Sequence, residues 1–233
     1  LFLKLFFIKN FKDIIILGLI GLGLQQFFYF LALNYAPVAQ VNVLNYMWPI
    51  FIFALSIPIL KQKFSWKNFL SLLLGFIGVV IVVTEGKFFT LNSTYLYGYI
   101  LALGAAFAWA LFSVLNKLKN IEPLKGIFLF NSVGFIFMFF VMLISKSSFL
   151  IPLKEAIGTL YIGLFPTAIA FLTWLKSLKI GNPVIIANLA HLTPFISLLF
   201  IYIILKEEIL ISEIFGLIII VSAIFLQWIN LKN

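Results

Sequence analysis

Eight stretches of this chain are each long enough and apolar enough to fill a bilayer as a helix, which leaves few alternatives for its fold. A hydrocarbon core about 30 Å thick is crossed by roughly 20 apolar residues in helical form, with every backbone hydrogen bond closed inside the segment. The stretches 14–33, 37–60, 67–84, 95–115, 126–145, 156–177, 183–205 and 211–229 meet that requirement. Polar and turn-forming separators such as "KQKFSWKN", "EGKFFTLNST", "NKLKNIEPLKG" and "KIGNP" lie between them,. Period-2 alternation is absent, so the pattern is that of helices and not of a barrel. The expected fold class is an all-α integral membrane protein.

Composition agrees and removes several kinds of chemistry. The 233 residues are 64% hydrophobic and 10% charged, with a mean hydropathy of +1.20, too much apolar surface for a soluble domain,. There is no cysteine, which excludes thiol catalysis, disulfides and cysteine-ligated metals,. All sixteen basic residues are lysines, against seven acids, and they sit at segment ends instead of forming a patch for nucleic acid,. Twelve, including Lys4, Lys9, Lys61, Lys117 and Lys179, fall on one side; Lys87, Lys146, Lys154 and Lys206 fall on the other. The positive-inside bias therefore places the C-terminus in the cytoplasm, in an inner or plasma membrane.

An internal repeat follows from a shift of 145 residues, which carries Pro49 onto Pro194, "ILK" 59–61 onto "ILK" 204–206, Tyr46 onto His191 and Tyr29 onto Trp174. Residues 91–233 hold five spans and residues 1–90 hold three, so two further helices are expected ahead of Leu1, giving eight of ten. A unit with an odd number of spans inserts its two copies in opposite orientations. Two inverted five-helix repeats are the organisation of transporters that alternate access around a midplane site.

"FLALNYAPVAQVNVLNYMWPIF" (30–51), "WLKSLKIGNPVIIANLAHLTPFISLL" (174–199) and "LKEEILISEIFG" (205–216) carry a family resemblance. The chain resembles EamA-type permeases of the drug/metabolite transporter superfamily, and within it most resembles the aromatic amino-acid exporter branch. The resemblance implies ten helices, both termini cytoplasmic, and a substrate pocket that includes Tyr46, Trp48 and Trp109; no cofactor is expected. Gln62 stands where the family commonly has glutamate, whose second-half counterpart is Glu207. Ser71 and Ala223 stand at glycine positions of the helix-packing pattern, while Gly78 keeps its place.

The chemistry concentrates at two span centres. In "NVLNYMWPIF", Asn42, Asn45 and Pro49 lie three and four apart on one helical face, with Tyr46 and Trp48 beside them,. Two readings remain: asparagines as glue between packed helices, or amides and aromatic rings lining a watery cavity. The counterpart "NLAHLTP" offers Asn188 and His191, the chain's single histidine. His191 reads either as a structural hydrogen-bonder or, in a proton-coupled transporter, as the proton-sensitive group. Tyr29 and Trp174 are interface anchors or cavity lining, and Trp109 lies in a small-residue segment suited to close helix approach. Lys61, Lys63, Lys176 and Lys179 read as snorkelling charges, Pro166 as a kink, and Glu207 and Glu208 as a cap or gate.

The leading expectation is a secondary transporter exporting small metabolites, such as aromatic or other apolar amino acids, by alternating access. The chain would act as a monomer or weak dimer whose partners are a small-molecule substrate and the lipid bilayer. Another superfamily substrate, such as a nucleotide sugar or drug, and a non-transporting membrane subunit are the competing readings. An enzyme is not expected, because His191 has no acidic or nucleophilic partner in sequence. No metal site is expected, and the absence of a "GxxxxGK" loop argues against ATP-driven transport,.

Overall fold

The computed structural model describes residues 11–87, 91–146, 152–206 and 209–232. Lys4, Lys9, Glu207 and Glu208, with the side chains of Lys154 and Lys232, lie outside the described residues. Eight helices are long and apolar enough to cross a membrane: α1 Phe11–Tyr35, α2 Val38–Leu60, α3 Trp66–Val83, α4 Ser93–Leu118, α5 Pro123–Ile144, α6 Glu155–Ile180, α7 Pro183–Ile204 and α8 Ile211–Ile229. The expected spans are recovered to within three residues at each end.

Local chemistry sets the boundaries. The Ser65 hydroxyl accepts the Asn68 N–H at 3.3 Å to start α3, and the Asn182 side chain accepts the Val184 N–H at 2.9 Å to start α7,. Pro123 and Pro183 open their helices in the first turn, where no N–H is needed,. Lys61 and Lys206, just past α2 and the second part of α7, both take the left-handed conformation, at φ 55° and 58°,.

Four helices are irregular, and these departures recur near the 145-residue spacing that also separates Lys61 from Lys206. Helix α1 holds a π-helical turn at Leu19–Leu24, and α6 holds one at Phe165–Ala170. Helix α2 is interrupted at Tyr46 and Met47, ahead of Pro49; α7 narrows to a 3₁₀ turn at Ala190–Leu192, ahead of Pro194. Proline in a helix interior removes a ladder bond, and π-turns take up the slack. In α6 the freed Ile162 carbonyl accepts the Thr167 hydroxyl at 2.9 Å. The kink expected at Pro166 is thus a π-turn.

Helix α4 is the hub, packing against α1, α2, α6 and the start of α7. Its buried stripe is small: Gly98, Ala102, Ala105, Ala106 and Ala110. A Cβ at Gly98 would come within 2.6 Å of the Ala36 Cβ, so only glycine admits α1 this closely. Helices α3 and α8 form a second close pair. Gly78 and Gly216 face each other's carbonyls, and a Cβ at either would come within 2.7 or 2.8 Å of the other's carbonyl oxygen, too close for any side chain,. Ser71 and Ala223 do not loosen this pair: the Ser71 hydroxyl donates across it to the Ala223 carbonyl. The first half of α6 and the part of α7 beyond Pro194 contain no buried residue among those described.

Candidate functional site

Two adjoining cavities sit where α2 breaks. One, of about 290 Å³, is walled by Gln25, Gln26, Trp109, Thr167 and Phe171; the other, of about 530 Å³, by Tyr29, Asn42, Tyr46, Thr193, Ser197 and Glu213. Asn45 and Trp48 line both. Asn45 and Trp48 flank the interruption at Tyr46 and Met47, where the chain leaves regular winding, so one short segment borders both spaces,.

The aromatic wall is self-supporting. Trp48 meets Trp174 edge-on at 5.3 Å, and Trp174 stacks on Trp109 at 5.8 Å and 28°,. The Trp174 indole N–H donates to the Ser113 hydroxyl at 3.1 Å, and Ser113 donates to the Trp109 carbonyl at 2.8 Å. Trp174 therefore braces the two tryptophans that line the cavities and lines neither itself. On the opposite side the Tyr29 hydroxyl donates to the Asn42 amide oxygen at 2.6 Å, tying α1 to α2. The Asn45 amide oxygen is buried and has no hydrogen-bond partner among the described residues.

Asn188 and His191 lie behind the wall. Asn188 donates to Ser71 Oγ at 2.8 Å and to Gln227 Oε1 at 3.0 Å, and its own oxygen lies 3.1 Å from His191 Nδ1. With an amide oxygen facing Nδ1, that nitrogen carries the proton, and Nε2 is left as a buried acceptor without a partner among the described residues,. His191 is 0% exposed, and a Cβ at Gly75 would run into its ring. This knot fastens α7 to α3 and α8. Helix α7 reaches the larger cavity instead through Ala190, Thr193, Pro194 and Ser197.

Of the residues expected to line a site, the structure brings together Tyr29, Asn42, Asn45, Tyr46, Trp48 and Trp109, and it sets Trp174, Asn188 and His191 outside the lining. Gln25, Gln26, Thr167, Ser197 and Glu213 were missed by sequence reasoning. The adjacent glutamines in the middle of an apolar span were the available signal, since a mid-bilayer amide needs a partner or water. Lys179 also departs from the snorkelling role, because its ammonium donates to the Lys119 carbonyl at 2.6 Å. Lys117 returns the bond to the Lys179 and Gly181 carbonyls at 2.9 and 3.0 Å, and Lys119 pairs with Asp13 at 2.8 Å.

Residues 2–84 and 96–229 match the model of the EamA-like transporter family. The chain belongs to that family. It is a multi-pass membrane protein, as its eight apolar helices require. An "Uncharacterized transporter" of Clostridium kluyveri is 25% identical over 93% of this chain and 71% of its own length. The aromatic amino acid exporter YddG of Ancylobacter novellus is 26% identical over 78% of this chain and 64% of its own. A Methanothermobacter thermautotrophicus transporter is 27% identical over 84% of this chain and 57% of its own. This EamA-family chain thus spans between 57% and 71% of those relatives' lengths. A crystal structure at 22% identity superposes with a TM-score of 0.81 over 91% of this chain and 75% of its own, a likeness of fold.

Proposed function

We propose that this protein is a secondary transporter that exports small metabolites by alternating access, with amino acids carrying aromatic or other apolar side chains as its substrates. The carrying observation is the pair of cavities that share Asn45 and Trp48, set between membrane-spanning helices and lined by both aromatic faces and amides. A solute entering from water must exchange hydration for fixed polar contacts and lay its apolar part on a flat ring, and this lining provides for both. The name of the Ancylobacter relative points to the same substrate class.

In this reading residues 1–90 and 91–233 are two inverted repeats, and the breaks of α2 and α7 are paired hinges about which the halves rock. The paired π-turns of α1 and α6 support that pairing. The lysine-rich end and the C-terminus face the cytoplasm, and the chain works as a monomer or weak dimer in the inner membrane. Counterflow in proteoliposomes tests the assignment: labelled phenylalanine accumulates against its unlabelled form, and a nucleotide sugar does not. Accumulation of the nucleotide sugar alone, or of neither, would overturn it.

A further inference from the structure

The charges around the two cavities are one-sided. Among the described lining residues there is no lysine and no histidine, while Glu85 and Glu213 both border the larger cavity. The two acids differ. Glu85 is exposed and paired with Lys87. Glu213 is only 6% exposed, and among the described residues no basic group lies within ion-pair reach of it.

One carboxylate oxygen of Glu213 accepts the Leu210 N–H at 2.7 Å, half of a capping box at the start of α8,. Its other oxygen has no partner among the described residues. Capping accounts for the first oxygen and for the residue's position, and a glutamine does that work equally well. It does not account for a carboxylate lodged beside a cavity with no counter-charge, because a buried charge is costly until it is paired. A cation entering the cavity removes that cost, whereas an anion raises it.

The geometry points to Glu213 as the ammonium anchor of this site, which selects amines and amino acids over anionic solutes of the same shape. This rests on the transporter reading above and names the specificity-determining residue within it. The ammonium group is held at Glu213, in the cavity that Thr193 and Ser197 also line. The apolar body lies toward Trp48, where the cavity meets the space lined by Trp109 and Phe171. Polyanionic solutes, phosphates among them, meet a lining with acceptors and no basic group to neutralise them.

Three probes of one shape test the assignment on the protein in lipid nanodiscs: 2-phenylethylamine, phenylalanine and 3-phenylpropionate. The wild-type protein is expected to bind the first two at least about tenfold more tightly than the third. Glu213→Gln keeps an acceptor for the Leu210 N–H, so its thermal midpoint stays at the wild-type value. Its affinity for both ammonium-bearing probes falls at least about tenfold, and its affinity for 3-phenylpropionate does not fall. Wild-type protein that binds 3-phenylpropionate as well as the amine overturns the proposal whatever the variant does. Phenylalanine counterflow that Glu213→Gln leaves unchanged overturns the anchor and leaves the transporter reading standing. Failure of the wild-type protein to bind any of the three probes, with no counterflow, overturns both.

Discussion

Tyr46 and His191 occupy equivalent places in the 145-residue repeat, yet Tyr46 lines a cavity and His191 is sealed behind one. Sequence equivalence transfers a position along the chain, and the facing of a side chain depends on the local winding. Tyr46 sits in an open turn between two helical segments, whereas His191 sits in a 3₁₀ turn, whose tighter winding rotates successive residues further than an α-helix does,. Gly75 makes that placement possible, since any side chain there meets the His191 ring and the Asn188 oxygen. Gly75→Ala is therefore expected to destabilise the protein by about 1–3 kcal/mol, the usual cost of overpacking. It should read as a lowered thermal midpoint in detergent, partly restored in the Gly75→Ala/His191→Ala double variant. A wild-type midpoint for Gly75→Ala would remove the knot from the account of how α7 is held.

At the scale of elements, the lysine-rich end is clasped by reciprocal caps. Helix C-termini expose carbonyls that lack an intrahelical partner, and a lysine is well suited to them. Lys117 of α4 caps the end of α6, Lys179 of α6 caps the end of α4, and Lys119 with Asp13 draws in the start of α1. These helices are thereby bound at one end, while the larger cavity lies toward the other, beside Glu85 and Glu213. The protein has no cysteine, so a single introduced thiol is a clean reporter. Leu178, 0% exposed next to the clasp, is expected as Leu178→Cys to react slowly with maleimide, and several-fold faster when Lys117 and Lys179 are also changed to methionine,. Equal rates in the two backgrounds would show that the clasp does not hold this end shut.

For the whole molecule, the outward faces are those of a protein solvated by lipid. Phe135, Ile144, Ile162, Ile203 and Phe215 are all exposed, and the buried polar groups are gathered at helix contacts. Charge distribution across this body leads to a topology test. Lys63 and Leu91 are exposed and lie in the connections before α3 and before α4, at opposite ends of α3. In sealed right-side-out vesicles an impermeant maleimide is expected to label Leu91→Cys and to spare Lys63→Cys until the membrane is opened. The reverse pattern would overturn the assignment of the lysine-rich side to the cytoplasm.

The number of spans, their limits and the polar and aromatic segment at the centre of α2 were all legible in the sequence. Each depends on local quantities: the apolar length needed to cross a bilayer, the cap or proline at a boundary, and the cost of an amide or proline at mid-span. The glycine contacts of Gly75, Gly78 and Gly98, the buried knot around His191, the bracing role of Trp174 and the exchange of caps between Lys117 and Lys179 were decided by tertiary structure. In each of these, groups far apart in the chain come together, and which face meets which depends on how each helix is rotated about its axis against its neighbours. Span-by-span hydropathy carries no record of that rotation, so the cavity was legible at Asn45, Tyr46 and Trp48, while Glu213 had to wait for the packing of α8 against α3.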